Sequence, residues 1–535
     1  MMLCKRLDWQ QFLGPVIAGL AAWVLYGATA APWLTWANHG ADGGDLIAAA
    51  MTWGVPHPSG YPTYCLLGRL FALLPFGGVG VDAIARRFTL FSATTAAISV
   101  ALVCAMAQDL LRSRDDAAAH PAIVTIAAVL VAMIWASATT LWSQAVITEV
   151  YAPWTAMVAL CLWLAIRMER RPTTSLPKNL AILGLLLGLG TGLHLTIVLM
   201  IPGLAVLLWP RWRARPRALL SGLAGLALGL CVYAYLPLVG LLRPASQVSP
   251  VYWGNPRTWS GFWWTVSGVP YRGYLLGLPL RHLPQRLAAW LGLWRQQYTL
   301  PGVLLALVGL TDLWEQERRR ALGQMLIVAA YSLLAITYDT VDSYVYLLPA
   351  YLVGALWLAA GSCALARYLR PWLSRRWATA LVLAVLLALP LWAIASRYAQ
   401  QDLSTDQEAR LWVEETLATL PQDALLITGA DAHTFTMDYV QWVEGRRLDL
   451  CVIDGELFPY SWYVEQLARR CPTLYADWED VRDDPPVSVS SLVSTQWERR
   501  PLYLASPRPE LAQDWQVEPH SALWVIVGPR VSSGD

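Results

Sequence analysis

Long apolar runs, separated by short basic stretches, dominate the first 399 residues of the chain. Several runs exceed the roughly 20 residues that a helix needs to cross the hydrocarbon core of a bilayer. The run from Leu180 to Trp209 is too long for one upright crossing, and Gly190, Gly192 and His194 favour a turn near its middle. We predict about eleven membrane-spanning helices, at 12–34, 88–108, 120–141, 150–167, 179–193, 195–209, 218–240, 298–311, 321–338, 344–366 and 377–396.

The pattern changes in the last 136 residues, where short apolar segments alternate with polar helical ones. Strands are predicted at 424–428, 448–453 and 522–527, and helices at 434–444 and 462–469. No glycine-rich nucleotide fingerprint follows a strand. The chain is therefore predicted to be mainly α and integral to the membrane over 1–399, followed by a small extracytoplasmic α/β domain over 400–535.

Composition and charge agree with this division. Hydrophobic residues make up 56% of the chain, charged residues only 14%, and the mean hydropathy is +0.43, which excludes a soluble multi-domain protein. Residues 400–535 carry 23 of the 37 acidic residues but 10 of the 39 basic ones. The other basic residues are concentrated in loops on one predicted side of the membrane, as is typical of a protein embedded in a bilayer. We therefore expect the lipid bilayer as a partner and no nucleic acid.

The positive-inside rule then places the N-terminus in the cytoplasm. With eleven crossings, the first loop 35–87, the long loop 241–297 and the C-terminal domain lie outside. Residues 61–76 are apolar enough for a short span, but a crossing there would put every later basic loop outside, so we expect a helix at the interface. A bacterial plasma membrane is preferred over an endoplasmic reticulum, because the chain has no long lumenal repeat array.

The eight cysteines indicate no metal site, since no Cys/His spacing suits one. Six are scattered singly through the membrane region, where a thiol behaves as a small apolar residue. Only Cys451 and Cys471 could pair, and two unlinked thiols are the alternative.

Polar residues gather after the first predicted span, in the stretches Asn38 to Asp45 and Gly54 to Pro62. Asp42 and Asp45 lie three residues apart, so their carboxylates can share a site. One can accept a proton from an incoming nucleophile while the other orients that nucleophile or holds a cation. The alternative is helix capping, in which either carboxylate accepts hydrogen bonds from backbone amides that begin the helix Leu46 to Trp53.

Two more segments fall on the same predicted face. Glu149, in the segment Trp142 to Tyr151, suits either a ligand-binding role or a solvated helix cap. The segment Tyr252 to Trp264 has six aromatic residues in 13 positions, and aromatic rings bind sugars but also anchor proteins at headgroup level. Asp339 and Asp342 are also predicted on this face. They either line a cavity shared with these segments or cap the next helix.

The long loop also holds arginines that break the positive-inside pattern, namely Arg243, Arg257, Arg272 and Arg281. A lipid phosphate or pyrophosphate would account for them through bidentate pairing. Contact with headgroups by exposed guanidiniums is the alternative. His194, inside an apolar hairpin, is expected to be a hydrogen-bonded packing residue.

Together these segments resemble one family of polytopic membrane proteins, which includes the animal transmembrane O-mannosyltransferase. The run Gly54 to Pro62 is quite specific. The matching blocks extend through most of the chain: Asp42 to Asp45 with Gly54 to Pro62, Trp142 to Tyr151, Tyr235 to Leu238 with Trp253 to Trp264, Asp342 to Tyr351, Leu420 to Tyr439, and Trp462-Tyr463. That family is similar to GT-C glycosyltransferases, which take a sugar from a polyprenyl-phosphate donor and use a carboxylate in the first extracytoplasmic loop.

The resemblance implies roles for single residues. Asp42 would be the general base and Asp45 would support it, where many family members have Glu. Val239 stands where the family commonly has Arg, so Arg243 or Arg272, with His57, would bind the donor phosphate. The sugar or acceptor pocket would be lined by Gln144, Glu149, Tyr151, Trp253, Asn255, Trp263, Trp264 and Asp342.

The implied function is transfer of a hexose, by resemblance mannose, from a polyprenyl-phosphate donor to a protein or glycan hydroxyl outside the cytoplasm. No cofactor is assigned, and a divalent cation stays open. A transporter or flippase for a lipid-linked sugar would use the same aromatic residues and arginines, but its ionisable residues should lie near the bilayer midplane. A non-catalytic scaffold would explain the C-terminal domain and leave the first-loop cluster unused.

Overall fold

The computed structural model describes residues 10–78, 80–114, 120–170, 173–244, 247–472, 474 and 488–530. Over these residues the protein is mainly helical, with one small sheet near its C-terminus, as predicted. The helices of the first part are α1 Gln10–Thr29, α2 Gly43–Thr52, α3 Pro62–Ala72, α4 Ile84–Arg114, α5 Pro121–Ala136, α6 Thr139–Ala145, α7 Tyr151–Arg170, α8 Leu176–Thr191, α9 Ile201–Leu207, α10 Trp209–Ala214, α11 Ala218–Leu230, α12 Tyr235–Leu241, α13 Trp259–Val266, α14 Leu283–Gln316, α15 Arg318–Thr337, α16 Leu348–Leu369 and α17 Arg375–Gln401.

Among the described residues, seven helices are long and apolar enough to cross a bilayer, or eight if the bent pair α5 and α6 is one span. The other predicted spans coincide with shorter helical segments: α8, the segment Leu195–Leu207, and the second half of α14. Each predicted span is thus helical, whereas the count of eleven crossings stays a prediction. Helix α3 has 11 residues, about 16 Å in length, which is too short to span.

Several helix breaks follow from local sequence. The turn predicted near Gly192 is present, and the side chain of His194 accepts a hydrogen bond from the Thr196 amide to begin the next helical turn. Helix α14 breaks at Thr299, two residues before Pro301, where the backbone leaves helical geometry. Helices α5 and α6 meet at 71°.

The C-terminal part is an α/β unit. Its elements are α18 Glu408–Thr419, β1 Leu425–Thr428, α19 Asp431–Trp442, β2 Cys451–Asp454, α20 Ser461–Arg470, α21 Val489–Gln496, β3 Leu502–Leu504, β4 Trp515–His520 and β5 Leu523–Pro529. The strand order is β2-β1-β3-β5-β4, with β1 parallel to β2 and β3, and β5 antiparallel to β3 and β4. Cys451 and Cys471 form a disulfide that joins β2 to the end of α20.

The α/β unit packs directly on the membrane part through α19 and α2. The contact is close because Gly44 lacks a side chain: a Cβ there would lie 2.0 Å from the backbone oxygen of Phe435. Trp36 donates a hydrogen bond to Thr436, and Trp33 donates one to Glu444. The side chains at the start of α2 therefore lie beneath the α/β unit.

Candidate functional site

Two carboxylates and one histidine form the centre of the site. Asp42 ends a 3₁₀ turn, Asp45 lies in the first turn of α2, and His57 follows in the next loop. The His57 ring stands between them, with Nδ1 2.8 Å from Asp45 Oδ2 and Nε2 3.4 Å from Asp42 Oδ2. Asp45 Oδ2 also accepts a hydrogen bond from the His57 backbone amide. The two aspartates are thus brought together, as predicted, but through His57.

Helix capping, the alternative considered for these aspartates, is not what their side chains do. Asp42 occupies the N-cap position of α2 without a side-chain cap hydrogen bond. Asp45 is fully buried and accepts hydrogen bonds from His57 and from Trp253 Nε1, the latter at 3.0 Å. Asp42, in contrast, keeps 34% of its side chain exposed. Asp45 is therefore placed to hold its neighbours, and Asp42 is placed to meet a ligand.

The electrostatics of the group favour a charged histidine. Burial opposes protonation of His57, but the charge of Asp42 and the hydrogen bond to Asp45 outweigh it and raise the His57 pKa to about 9. The pKa of Asp42 is also raised, by burial above all, with His57 acting in the opposite direction. A carboxylate with a raised pKa is a better proton acceptor than an ordinary surface aspartate.

A short backbone pairing brings Trp253 to Asp45. Val55 and Tyr252 form an isolated parallel bridge, in which the Trp253 amide donates to the Val55 oxygen at 3.1 Å. Gly54 permits this approach, because a Cβ there would lie 2.2 Å from the Val251 oxygen. The Gly54 to Pro62 run and the aromatic long loop are thus two halves of one structural element.

Two further acidic residues, Glu149 and Asp342, interact electrostatically with Asp42. Glu149 is buried, and burial followed by the charge of Asp42 raises its pKa well above the ordinary value. Asp342 precedes the 3₁₀ turn Ser343–Leu347, and its charge acts on both Asp42 and Glu149. Tyr151 lies at the start of α7, with its ring 6.1 Å from that of Tyr346.

Gln144 lies deeper, in α6, and is buried. Its amide nitrogen is 3.4 Å from the Asn38 backbone oxygen, while its side-chain oxygen has no hydrogen-bond partner among the described residues. Gln144 thus contacts the turn that precedes Asp42.

The α/β unit supplies side chains that the sequence analysis did not assign to the site. Phe435 of α19 stacks on His57, with ring centroids 5.9 Å apart and an interplanar angle of 10°. Asp431 lies one helical turn earlier on the same face of α19. Burial followed by the charge of Asp42 raises the pKa of Asp431 to about 7, although its side chain still reaches solvent. Asp431 lies three residues after β1 ends at Thr428. The carboxyl ends of strands are where α/β folds commonly place ligand-binding groups, so this position was the signal that sequence offered.

Aromatic rings from both parts of the chain form one wall. Trp253 and Trp264 lie 5.3 and 5.4 Å from Trp462 of α20, and Tyr460 closes the group. Asn255 is at the edge, where it donates a hydrogen bond to Glu465.

Trp263 lies outside this wall. Its ring is 48% exposed and packs against Trp259 and Phe262 of its own helix. This position suits the anchoring role that was the alternative for the aromatic residues of the long loop.

The two arginines proposed from sequence have other partners. Arg243 donates to the Thr52 backbone oxygen, at the other end of α2 and about 15 Å along that helix from Asp42. Arg272 is exposed and donates to Ser267.

Arg286, which the sequence analysis did not single out, has a different setting. It lines a cavity of about 330 Å³ with Trp290, Leu293 and Leu347, beside the residues that flank Asp342. It is 3.4 Å from Asp339 and donates to Ser343. The cavity thus has apolar walls and a guanidinium near the acidic cluster.

No group of three or more His, Cys, Asp or Glu side chains among the described residues has a geometry that could hold a metal ion. The acidic residues around Asp42 share one histidine, because the charge of His57 acts on Asp42, Glu149 and Asp431.

Comparisons with known families support the resemblance seen in the sequence. The family model described as the Protein O-mannosyl-transferase TMEM260 N-terminal domain matches residues 42–216. The model described as TMEM260-associated domain 2 matches residues 409–473, which include α19 and α20.

One curated relative and two solved structures are also similar to the chain. The mouse Protein O-mannosyl-transferase TMEM260 is 24% identical over 473 residues, which are 82% of this chain and 62% of the mouse protein. The fold is similar to crystal structures of ArnT from Cupriavidus metallidurans. The form bound to undecaprenyl phosphate has a TM-score of 0.56 and 13% identity over 97% of this chain and 98% of that one. The apo form has a TM-score of 0.54 and 13% identity over 96% of both chains.

Proposed function

We propose that the chain is a TMEM260-like integral membrane glycosyltransferase with a GT-C fold that uses a lipid-linked sugar donor. The donor is a polyprenyl-phosphate hexose, the hexose is mannose, and the acceptor is a protein or glycan hydroxyl on the extracytoplasmic side. The mannose and the protein acceptor rest on the name of the mouse relative, and the polyprenyl phosphate rests on the ligand of the ArnT crystal structure.

The observation that carries this proposal is the Asp42–His57–Asp45 arrangement. Asp45 fixes the His57 ring through Nδ1, and the protonated ring presents Nε2 to Asp42, which alone of the two aspartates is accessible. This geometry gives one positioned carboxylate beside a fixed positive charge, at the start of a helix that packs beneath the α/β unit. Such a carboxylate suits general-base catalysis.

The proposed step conserves atoms and charge as follows. The acceptor hydroxyl oxygen attacks the anomeric carbon of the hexose, while Asp42 accepts the hydroxyl proton. The bond between the anomeric carbon and the phosphate oxygen breaks, and its electron pair leaves with the polyprenyl phosphate. Positioned general bases contribute about 10² to 10⁴ in rate, which sets the scale expected for Asp42.

Arg286 is the proposed phosphate-binding residue of the donor site. Its guanidinium can pair with a phosphate, and the apolar walls of its cavity suit the first isoprene units. Arg243 and Arg272, which the sequence favoured, instead donate hydrogen bonds to Thr52 and Ser267. The wall formed by Trp253, Trp264 and Trp462 is proposed to contact the sugar or the acceptor through aromatic faces.

The proposal is tested with purified wild-type protein and radiolabelled mannose donors. Transfer to membrane-protein acceptors is expected from polyprenyl-phosphate-mannose and not from a nucleotide-linked mannose. Transfer from the nucleotide sugar alone would contradict the lipid-linked donor. If no lipid-linked sugar in a panel supports transfer, and the labelled donor instead moves across proteoliposome membranes, the protein is a transporter.

A further inference from the structure

A second cavity, separate from the carboxylate cluster, lies at the other end of the membrane helices. It has a volume of about 630 Å³. Four guanidiniums line it, and we name it the arginine cavity after them: Arg367 and Arg370 near the end of α16, and Arg375 and Arg376 at the start of α17. The proposed glycosyltransferase function gives this cavity no role.

Two helices, α4 and α16, run from the carboxylate cluster to the arginine cavity, and the length of each gives the distance between them. On α4, Ser92 contacts Glu149, whereas Leu111, 19 residues further along, lines the arginine cavity. On α16, Leu348 begins the helix near the acidic cluster, whereas Arg367 is 19 residues further on. At 1.5 Å per residue both separations are about 28 Å, close to the thickness of a bilayer hydrocarbon core. The arginine cavity therefore opens at the opposite membrane face, on the side of the basic loops.

The lining has the chemistry of a lipid headgroup site. His120, Ser362 and Thr379 add polar groups, and no described lining residue is acidic. Arg367 is paired with the buried carboxylate of Asp312, which fixes its guanidinium at the cavity wall. Guanidiniums pair with phosphate oxygens in a bidentate manner.

The remaining lining is mainly apolar. It includes Ile123 and Val124 of α5, and Val382 and Leu383 of α17. Tyr368, Trp372 and Trp377, close to the lining arginines in the chain, are at least half exposed, as expected for aromatic residues at headgroup depth. An inorganic anion would use the arginines and leave the apolar walls without a partner.

We propose that the arginine cavity binds an anionic phospholipid, with its phosphate between the guanidiniums and an acyl chain between α5 and α17. The site stabilises the packing of α4, α5, α16 and α17 at the face opposite the carboxylate cluster. It takes no part in sugar transfer, so its test does not depend on the proposed enzyme activity.

The test compares lipid binding by the delipidated full-length protein in neutral detergent, using native mass spectrometry and thermal unfolding. Phosphatidylglycerol is expected to bind and to raise the unfolding midpoint, whereas phosphatidylcholine and inorganic phosphate do neither. In the double variant R370Q/R376Q the affinity for phosphatidylglycerol is expected to fall about 30-fold, from a contribution of roughly fivefold per arginine near a membrane surface. The control R213Q removes an exposed arginine of α10 and is expected to bind as wild type does.

A second variant separates cavity shape from charge. Ala380→Phe keeps all four arginines but fills the acyl region, so it is expected to weaken phosphatidylglycerol binding and leave the midpoint without lipid unchanged. Equal binding of phosphatidylglycerol and phosphatidylcholine, an equal loss in R213Q, or full binding by both cavity variants would each overturn the proposal. Stabilisation by inorganic phosphate equal to that by the lipid would overturn the lipid as its ligand.

Discussion

At the scale of single residues, His57 gives the site a testable dependence on pH. Its pKa of about 9 in the folded protein exceeds the ordinary value of 6.5, because Asp42 and Asp45 outweigh the effect of burial. A raised pKa means that the stabilisation is complete below about pH 6.5 and is lost as the pH rises through about 9. The stability advantage of wild type over H57Q should therefore shrink across this window, by up to about 3 kcal/mol.

Thermal unfolding in detergent at several pH values measures this advantage. H433Q is the matched control, because burial lowers the pKa of His433, so its contribution should change only slightly between pH 6.5 and 9. A wild-type advantage over H57Q that is the same at pH 6.5 and 9 would show that His57 is not held as a cation.

A second prediction at this scale separates the arginines. R286Q should raise KM for the lipid-linked donor by about 10- to 100-fold, the effect of losing a charged hydrogen bond to phosphate. R243Q should leave KM unchanged, because Arg243 donates to the far end of α2. Steady-state kinetics with varied donor measure both variants. A raised KM for R243Q together with an unchanged KM for R286Q would instead assign the phosphate site to Arg243.

The residue types of the site were easier to predict from sequence than the contacts between those residues. Asp42 and Asp45 were paired from their spacing, but His57 was assigned to phosphate because no local pattern shows that its ring fits between two carboxylates. The different roles of Asp42 and Asp45 came from the resemblance and not from their spacing, since the burial that distinguishes them depends on Trp253, more than 200 residues away.

At the scale of elements, glycines set the contact between α8 and α11. A Cβ at Gly225 would lie 2.0 Å from the Ala181 backbone oxygen, whereas a Cβ at Gly222, three residues earlier, would meet nothing nearer than 3.6 Å. Gly225→Ala should therefore force the helices apart and cost about 1 to 3 kcal/mol of stability. Gly222→Ala should be neutral or slightly stabilising. Unfolding of both variants in detergent tests this, and equal effects would contradict the close packing.

The apolar pattern predicted helices better than strands. Each predicted span is helical, and β1, β2 and β5 overlap their predicted strands, because these segments are buried on both faces or lie centrally in the sheet. Strands β3 and β4 were missed. β3 has only three residues, and β4 is a largely exposed edge strand containing Pro519, so neither shows the apolar run or alternation that predicts a strand.

At the scale of the whole molecule, the α/β unit completes the site by packing on α2. Gly44→Ala should displace α19, because the new Cβ would collide with the Phe435 backbone oxygen. Increased hydrogen exchange in Asp431–Trp442 and reduced sugar transfer are expected. Gly27→Ala, whose Cβ meets no atom within 4 Å, is the control. Wild-type exchange and activity in Gly44→Ala would contradict a site shared between the two parts.

The packing between the two parts could not be predicted from sequence. It depends on the close contact between Gly44 and the backbone of α19, and on aromatic rings such as Phe435 and Trp462. In their local sequence context these rings would be assigned to the core of a separate domain. The charge difference between the parts indicated two environments but not that they share a cleft.

The central claim is that Asp42 is the base of a lipid-linked sugar transfer, and the most direct measurement is transfer from polyprenyl-phosphate-mannose by D42N. The rate is expected to fall by about 10² to 10⁴ while the protein stays folded and donor binding stays near that of wild type. D423N, the same substitution in an exposed turn before β1, should transfer as wild type does. Transfer by D42N at the wild-type rate would contradict the assignment of Asp42 as the base.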